Sequence, residues 1–220
     1  MNLFNNCTRE YRSFIHDSRQ PLQAMMLVTR ILMNKKLDPE LKSGIETLQQ
    51  QVNYLKDLIS EFEAVNARSE FDLYSIITTC LENVKALANQ KRIVIDTTNL
   101  TPIPFTMIGN RTNIQRVIIN LLSNAIKYNK PDGTISIVLS TLEDRVVIKF
   151  KDTGFGIPQE YHHKIFEIDF RIPEYIETGG TGLGLSICKQ IIEQHNGQLT
   201  LEYSEYGVGS TFTVKLPIFS

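Results

Sequence analysis

The 220-residue chain is poor in cysteine: Cys7, Cys80 and Cys188 stand far apart, with no Cys-x-x-Cys pair. That excludes a disulfide framework and a cysteine-rich zinc site, and it fits a reducing compartment. Surplus positive charge is missing too, since 23 Lys and Arg against 24 Asp and Glu give −1. This balance argues against broad binding to nucleic acid or to an anionic membrane. No apolar run approaches the roughly 20 residues of a membrane span. No signal peptide is visible, and no repeat or low-complexity tract occurs. What remains is ordinary globular composition, 42% hydrophobic and 21% charged. At this length two domains are the fair expectation.

Near the N-terminus a polar island, His16-Asp-Ser-Arg-Gln-Pro21, interrupts an apolar-periodic segment. From about Asn6 to Met33 the apolar residues Tyr11, Ile15, Leu22, Met25 and Leu32 fall on steps of three and four, which predicts a helix. Pro21 lacks the amide donor that a helix interior needs, so it predicts a kink there. Residues 34–39 read as a loop, with Asp38 as N-cap and Pro39 at the first helical position. Leu41, Ile45, Leu48, Val52, Leu55, Ile59 and Phe62 then follow an unbroken 4-3 alternation. Such an alternation marks a seam packed on other helices. Two helices joined by a short loop form an antiparallel hairpin, which buries too little surface to stand alone. It can pair with a second copy into a four-helix bundle, or dock on its own C-terminal domain; the pairing is the expectation here.

Residues 64–70 mark the boundary, which divides the chain into 1–67 and 68–220. Beyond it the texture is mixed. Helices are expected over 73–89, 113–128 and 183–195, and strands over 93–97, 134–142, 145–151, 198–203 and 210–216. The hairpin signal at Glu143-Asp144 and the paired final strands predict a mostly antiparallel sheet covered by helices, an α+β domain. Residues 155–180 show only weak periodicity.

Three patterns carry chemistry. Asn120, Asn124 and Lys127 sit at i, i+4 and i+7 and share one helix face, opposite Val117, Leu121, Leu122 and Ala125. Two amides and an ammonium suit a phosphate and its magnesium, although asparagines on a helix surface are more often simply solvated. Asp152-Thr-Gly-Phe-Gly156 follows a predicted strand; its glycines admit close backbone approach and its carboxylate can accept from an amine. A tight Asp-initiated turn would look the same. Gly179-Gly-Thr-Gly-Leu-Gly-Leu185 runs into a helix, where free amides and the helix dipole favour an anion. It has neither a P-loop ending nor a preceding strand, so a flexible connector is its plainer reading.

In this order and spacing the three resemble the sensor histidine kinases, whose ATP-binding domain belongs to the GHKL superfamily. Asn120-Leu-Leu-Ser-Asn-Ala-Ile-Lys-Tyr128 resembles the N-box. Asp152-Thr-Gly-Phe-Gly156 resembles the first glycine box, Gly180-Thr-Gly-Leu-Gly184 the second, and Gly207-Val-Gly-Ser-Thr-Phe212 the closing glycine segment. His16-Asp-Ser-Arg-Gln-Pro-Leu22 resembles the H-box of the dimerisation and phosphotransfer domain. The resemblance implies a helical hairpin forming a dimeric four-helix bundle, followed by a GHKL-type α/β sandwich that binds ATP and Mg2+.

It also implies roles. His16 would accept the phosphoryl group, helped by Asp17, because imidazole is neutral and nucleophilic near pH 7. Asn124 would bind Mg2+ with Asn120 in support, Lys127 would touch phosphate, and Tyr128 would flank the nucleotide. Asp152 would accept from the adenine amine, with room supplied by Gly154 and Gly156. Gly180, Thr181, Gly182, Leu183 and Gly184 would line the phosphates and anchor a lid beginning after Gly156. Arg171 stands at the lid entrance, within reach of the γ-phosphate. His162, His163 and His195 have no such company and read as structural or solvated.

The implied partners are a second copy, through the N-terminal hairpin, and a response-regulator receiver domain. The implied location is the cytoplasm, including the cytoplasmic part of a larger membrane-bound sensor, with no membrane contact from this segment. Three positions depart from the family pattern. Asp169 stands where an aromatic is common, which bears on lid packing. Asn110 stands where Asp is frequent. Gln20 replaces the Thr or Asn associated with dephosphorylating the partner, although its carboxamide can still hold a water. The competing reading is a degenerate kinase that dimerises and holds nucleotide without transferring phosphate.

Overall fold

The structure is a computed structural model that describes residues 18, 21–33, 35, 38, 41–42, 44–49, 51–52, 55, 69–102, 106–178 and 182–218. The chain divides into two compact units, Met1–Ala67 and Arg68–Ser220.

In the first unit, residues 21–33 are helical (α1), as is Ser18; residues 41–42, 44–49, 51–52 and 55 belong to a second helical segment (α2). Asp38 caps α2, its Oδ1 accepting from Leu41 N–H at 2.9 Å. Thr29 is buried in α1, and its hydroxyl donates to the carbonyls of Met25 and Met26. The 4-3 alternation of α2 splits into two stripes. Ile45 and Val52 are buried, whereas Leu41, Leu48 and Leu55, each seven residues apart, are exposed, as are Met25 and Val28 on α1. Ile59 and Phe62, the start of the predicted first helix (6–17), and most of the predicted loop lie outside the described residues.

The second unit is built on a five-stranded sheet of order β2-β4-β5-β7-β6. Its strands are β2 (Val94–Asp96), β4 (Thr134–Leu142), β5 (Arg145–Asp152), β6 (Gln198–Glu205) and β7 (Gly209–Pro217). β2 runs parallel to β4, and every other pairing is antiparallel. Alternation does the sorting. Ile135, Ile137 and Leu139 of β4, Val146, Ile148 and Phe150 of β5, and Val214 and Leu216 of β7 are buried in one core cluster. Helices α3 (Leu73–Gln90), α4 (Arg111–Lys127) and α5 (Gly184–Gln194) complete that core with Ile76, Ile77, Ile114, Ile118, Leu122, Ile191 and Ile192. Cys80 and Cys188 are buried there as small apolar groups, and burial pushes their thiols up to about 11 and about 12.

Two short strands, β1 (Ser69–Phe71) and β3 (Met107–Gly109), pair antiparallel outside the main sheet. β1 therefore begins inside the stretch read from sequence as the domain boundary. Two helix starts of this unit carry side-chain caps: Asp72 accepts from Tyr74 and Ser75 N–H ahead of α3, and Asn110 accepts from Asn113 N–H ahead of α4. Asparagine caps as well as aspartate, so the departure at position 110 costs the helix nothing. His195 ends α5 as a structural residue. Its Nδ1 lies 2.8 Å from Ile191 O, and its Nε2 accepts from Asn110 N–H at 2.9 Å. That ties the end of α5 to the start of α4.

Candidate active site

The last two turns of α4, the end of β5, the start of α5 and the segment between β5 and α5 enclose a cavity of about 270 Å³. α4 has an apolar face in the core, which turns Asn120, Asn124 and Lys127 together toward the cavity, with Tyr128 at its C-cap. The amides are coupled. Asn120 Nδ2 donates to Gly184 O at 3.1 Å, and Asn124 Nδ2 donates to Asn120 Oδ1 at 3.2 Å. Asn124 Oδ1 is thereby left as the oxygen that could meet a cation. A Cβ at 184 would lie 2.7 Å from Asn120 Oδ1, so any other residue there would push the Asn120 amide out of this arrangement. Lys127 Nζ donates to the Tyr128 hydroxyl at 3.1 Å and lies 4.7 Å from that ring's centre.

Asp152, the last residue of β5, lines the cavity and is largely buried. Its Oδ1 accepts from Gly154 N–H at 2.8 Å and Ser210 N–H at 3.2 Å. Burial pushes its carboxyl up to about 6, against the lowering pull of those two donors. Gly154 sits beneath it, and a Cβ there would lie 2.3 Å from Tyr128 O. Gly156, at φ +68°, approaches β6 so closely that a Cβ would lie 1.9 Å from Glu205 O. The first glycine box is thus clamped between the end of α4 and the β6–β7 hairpin.

Arg171, Gly182 and Gly184 also line the cavity, and Leu183 is the N-cap residue of α5. Gly180 and Thr181 lie outside the described residues, as do His16, Asp17 and Gln20. So nine of the residues singled out by sequence meet at one cavity: Asn120, Asn124, Lys127, Tyr128, Asp152, Gly156, Arg171, Gly182 and Gly184. They come from four separate stretches of the chain, 120–128, 152–156, 171 and 182–184.

Sequence reasoning missed the apolar wall, formed by Ile157, Ile165, Phe170, Ile172, Tyr175 and Phe212. Five of these come from the segment with weak periodicity. At position 169 the backbone takes φ +61°, a conformation Asp tolerates far better than an aromatic residue. Phe170 then supplies the aromatic ring one residue later, lining the cavity and lying 5.7 Å from the Tyr161 ring. Gly182, at φ +73°, packs directly on this turn: a Cβ there would lie 2.7 Å from Asp169 C. Ser210, whose amide holds Asp152, was visible in sequence only as part of the closing glycine segment.

A buried carboxylate beside an apolar wall suits an aromatic amine, and coupled amides with an ammonium suit a phosphate chain and a magnesium ion. The family model described as histidine kinase-, DNA gyrase B- and HSP90-like ATPase matches residues 109–219, the span that holds this whole cavity. The sensor histidine kinase RppB of Synechocystis sp. is 30% identical over 218 residues, 93% of this chain and 48% of that one. The adaptive-response sensory kinase SasA of Gloeothece citriformis is 33% identical over 222 residues, 93% of this chain and 56% of that one. The chain spans about half the length of these curated relatives. The solved structure of the mycobacterial sensor histidine kinase MprB matches with a TM-score of 0.60 at 29% identity, over 69% of this chain and 98% of that one.

Proposed function

Because the chain belongs to the histidine kinase-, DNA gyrase B- and HSP90-like ATPase family, we propose that it is the core of a two-component sensor histidine kinase. In this reading the second unit binds ATP and the first carries the phosphoacceptor, His16. What supports it most is the convergence of Asp152, Asn124 and the glycines 182 and 184 on one cavity.

Asp152 accepts a hydrogen bond from the exocyclic amine of adenine, while Ile157, Ile165 and Phe212 exclude water around the base. Asn124 Oδ1 would hold Mg2+, which when bound would neutralise phosphate charge. Asn120 keeps that oxygen in place through its bonds to Asn124 and Gly184. Lys127 and Arg171 face the phosphates, and Gly182 and Gly184, with Gly180, Thr181 and Leu183, let backbone amides approach them. An imidazole nitrogen of His16 attacks the γ-phosphorus. The new N–P bond forms as the bond to the bridging oxygen breaks, ADP leaves, and Asp17 takes the imidazole proton. The phosphoryl group then passes to an aspartate of a response regulator. Gln20 orients a water for the opposing phosphatase reaction, in which water attacks the aspartyl phosphate of the regulator and inorganic phosphate leaves.

The first unit acts as a homodimer, an assignment supported by the exposed apolar stripe of Leu41, Leu48 and Leu55. No helix among the described residues is long and apolar enough to cross a membrane; we place the segment in the cytoplasm, where ATP and receiver domains are available. The test is phosphate incorporation from γ-labelled ATP into wild type and His16→Ala. Acid-labile label in wild type alone is the expected result. Equal labelling of both would sink the assignment of His16, and nucleotide binding without any labelling would favour the degenerate, regulatory reading.

A further inference from the structure

Tyr175 does something that none of the motifs assigns. It lies in the 3-10 helix Pro173–Thr178, within the segment that joins β5 to α5, and it lines the cavity. Its hydroxyl donates to Gly156 O at 3.0 Å. Its ring centre is 5.8 Å from that of Tyr128 and 5.9 Å from that of Phe155. One side chain of the lid therefore grips both the end of α4 and the first glycine box.

The surface it grips is braced by hydrogen bonds to the end of α4 and to the β6–β7 hairpin. Phe155 N–H donates to Tyr128 O at 3.0 Å, Gly207 N–H to Phe155 O at 2.6 Å, and Ile157 N–H to Ser204 Oγ at 2.8 Å. Gly156 is pressed against Glu205 as described above. The segment carrying Tyr175 is different: its described residues form 3-10 helices and turns but no strand. A side chain that joins this braced strip to the irregular residues 173–178 acts as a fastening. Burial, with Tyr206 and Glu174 adding to it, holds the Tyr175 phenol up at about 12, so it remains a hydrogen-bond donor at neutral pH.

We infer that Tyr175 is a positioning residue that latches the lid over the nucleoside end of the cavity and so sets how long a nucleotide stays bound. The inference rests on the ATP-site reading. The latch has two parts, and two substitutions separate them. Tyr175→Phe keeps the rings and removes the bond to Gly156 O; Tyr175→Ala removes both.

The measurement is stopped-flow dissociation of N-methylanthraniloyl-ADP from the full chain, chased with excess ATP. Loss of one neutral hydrogen bond predicts dissociation about threefold to tenfold faster in Tyr175→Phe. Loss of two ring contacts as well predicts roughly a further tenfold in Tyr175→Ala, with association changed less than dissociation in both. A merely structural role would lower the thermal midpoint without separating these rates. Unchanged or slower dissociation in Tyr175→Phe and Tyr175→Ala, with wild type still binding, overturns the latch alone. If Tyr175→Ala does not fold, the Phe variant decides. Failure of wild type to bind the nucleotide would overturn the ATP-site reading, and the latch with it.

Discussion

The carboxyl of Asp152 is largely buried, and its two amide donors do not fully offset the loss of water, so its pKa stands at about 6 in the folded chain against 3.8 for the free group. The sign follows directly. Between those values the folded state holds a proton that the unfolded state has released, so stability falls as pH rises from about 4 to 6 and stays lower above that. The shift corresponds to about 2–3 kcal/mol at neutral pH. Asp152→Asn removes this charge while keeping an oxygen for Gly154 and Ser210 N–H, so it should raise the thermal midpoint at pH 7.5 by several degrees. At pH 5 the gain should shrink, because the wild-type side chain is then mostly protonated. The same substitution should abolish ATP binding, since an amide NH2 would meet the adenine amine donor to donor. Calorimetric unfolding at both pH values, with ATP titrated into each variant at pH 7.5, checks all three outcomes. A gain that does not depend on pH would refute the electrostatic account.

At the scale of elements, α4 was legible because its buried positions and its Asn120–Asn124–Lys127 stripe both recur at helical spacing over 17 residues. β4 and β5 were legible through alternation and a two-residue turn. β1 and β3 were not: three residues each cannot display a period of two, and Ser69-Glu-Phe71 and Met107-Ile-Gly109 lack the β-branched run Ile93-Val-Ile95 that marked β2. The cavity divides the same way. Its polar side falls in motifs, whereas its apolar wall is gathered by tertiary folding from a segment with no repeat. No local spacing announces that Ile157, Ile165, Phe170, Ile172 and Tyr175 share a surface. The support beneath α4 was equally invisible. Lys91, just after α3, sends its Nζ to the carbonyls of Ile126 at 3.2 Å and Lys127 at 2.6 Å, satisfying acceptors that a helix end leaves open. Lys91→Met keeps the aliphatic stem and removes those bonds. It should cost about 1–3 kcal/mol in urea unfolding, and it should weaken nucleotide affinity by loosening the turn that carries Lys127 and Tyr128. Unaltered affinity alongside lower stability would show that the cap supports the fold without tuning the site.

At the scale of the whole molecule, the repeat in α2 bears on assembly. Seven-residue steps keep Leu41, Leu48 and Leu55 on one stripe and Ile45 and Val52 on another, and burial separates the two: Leu48 is 58% exposed and Ile45 only 5%. A stripe of leucines at heptad spacing is what a second helical hairpin would cover in a four-helix bundle. The two stripes therefore predict opposite failures. Leu48→Glu introduces charge where the first unit meets its proposed copy, so the protein should remain folded but sediment as a monomer. Nucleotide affinity of the second unit should be unchanged, because the described residues that line its cavity all fall within 120–212. Ile45→Glu buries a charge inside the unit and should unfold it. Sedimentation equilibrium with circular dichroism tests the pair. If wild type is monomeric, or if Leu48→Glu stays dimeric, the leucine stripe is not the contact between copies. If both variants unfold alike, the stripe belongs to the unit's own packing. Labelling of Leu48→Glu with γ-labelled ATP then gives the route of transfer: retained labelling means that each chain phosphorylates its own His16, and lost labelling in a folded, ATP-binding monomer means that His16 is served by the partner.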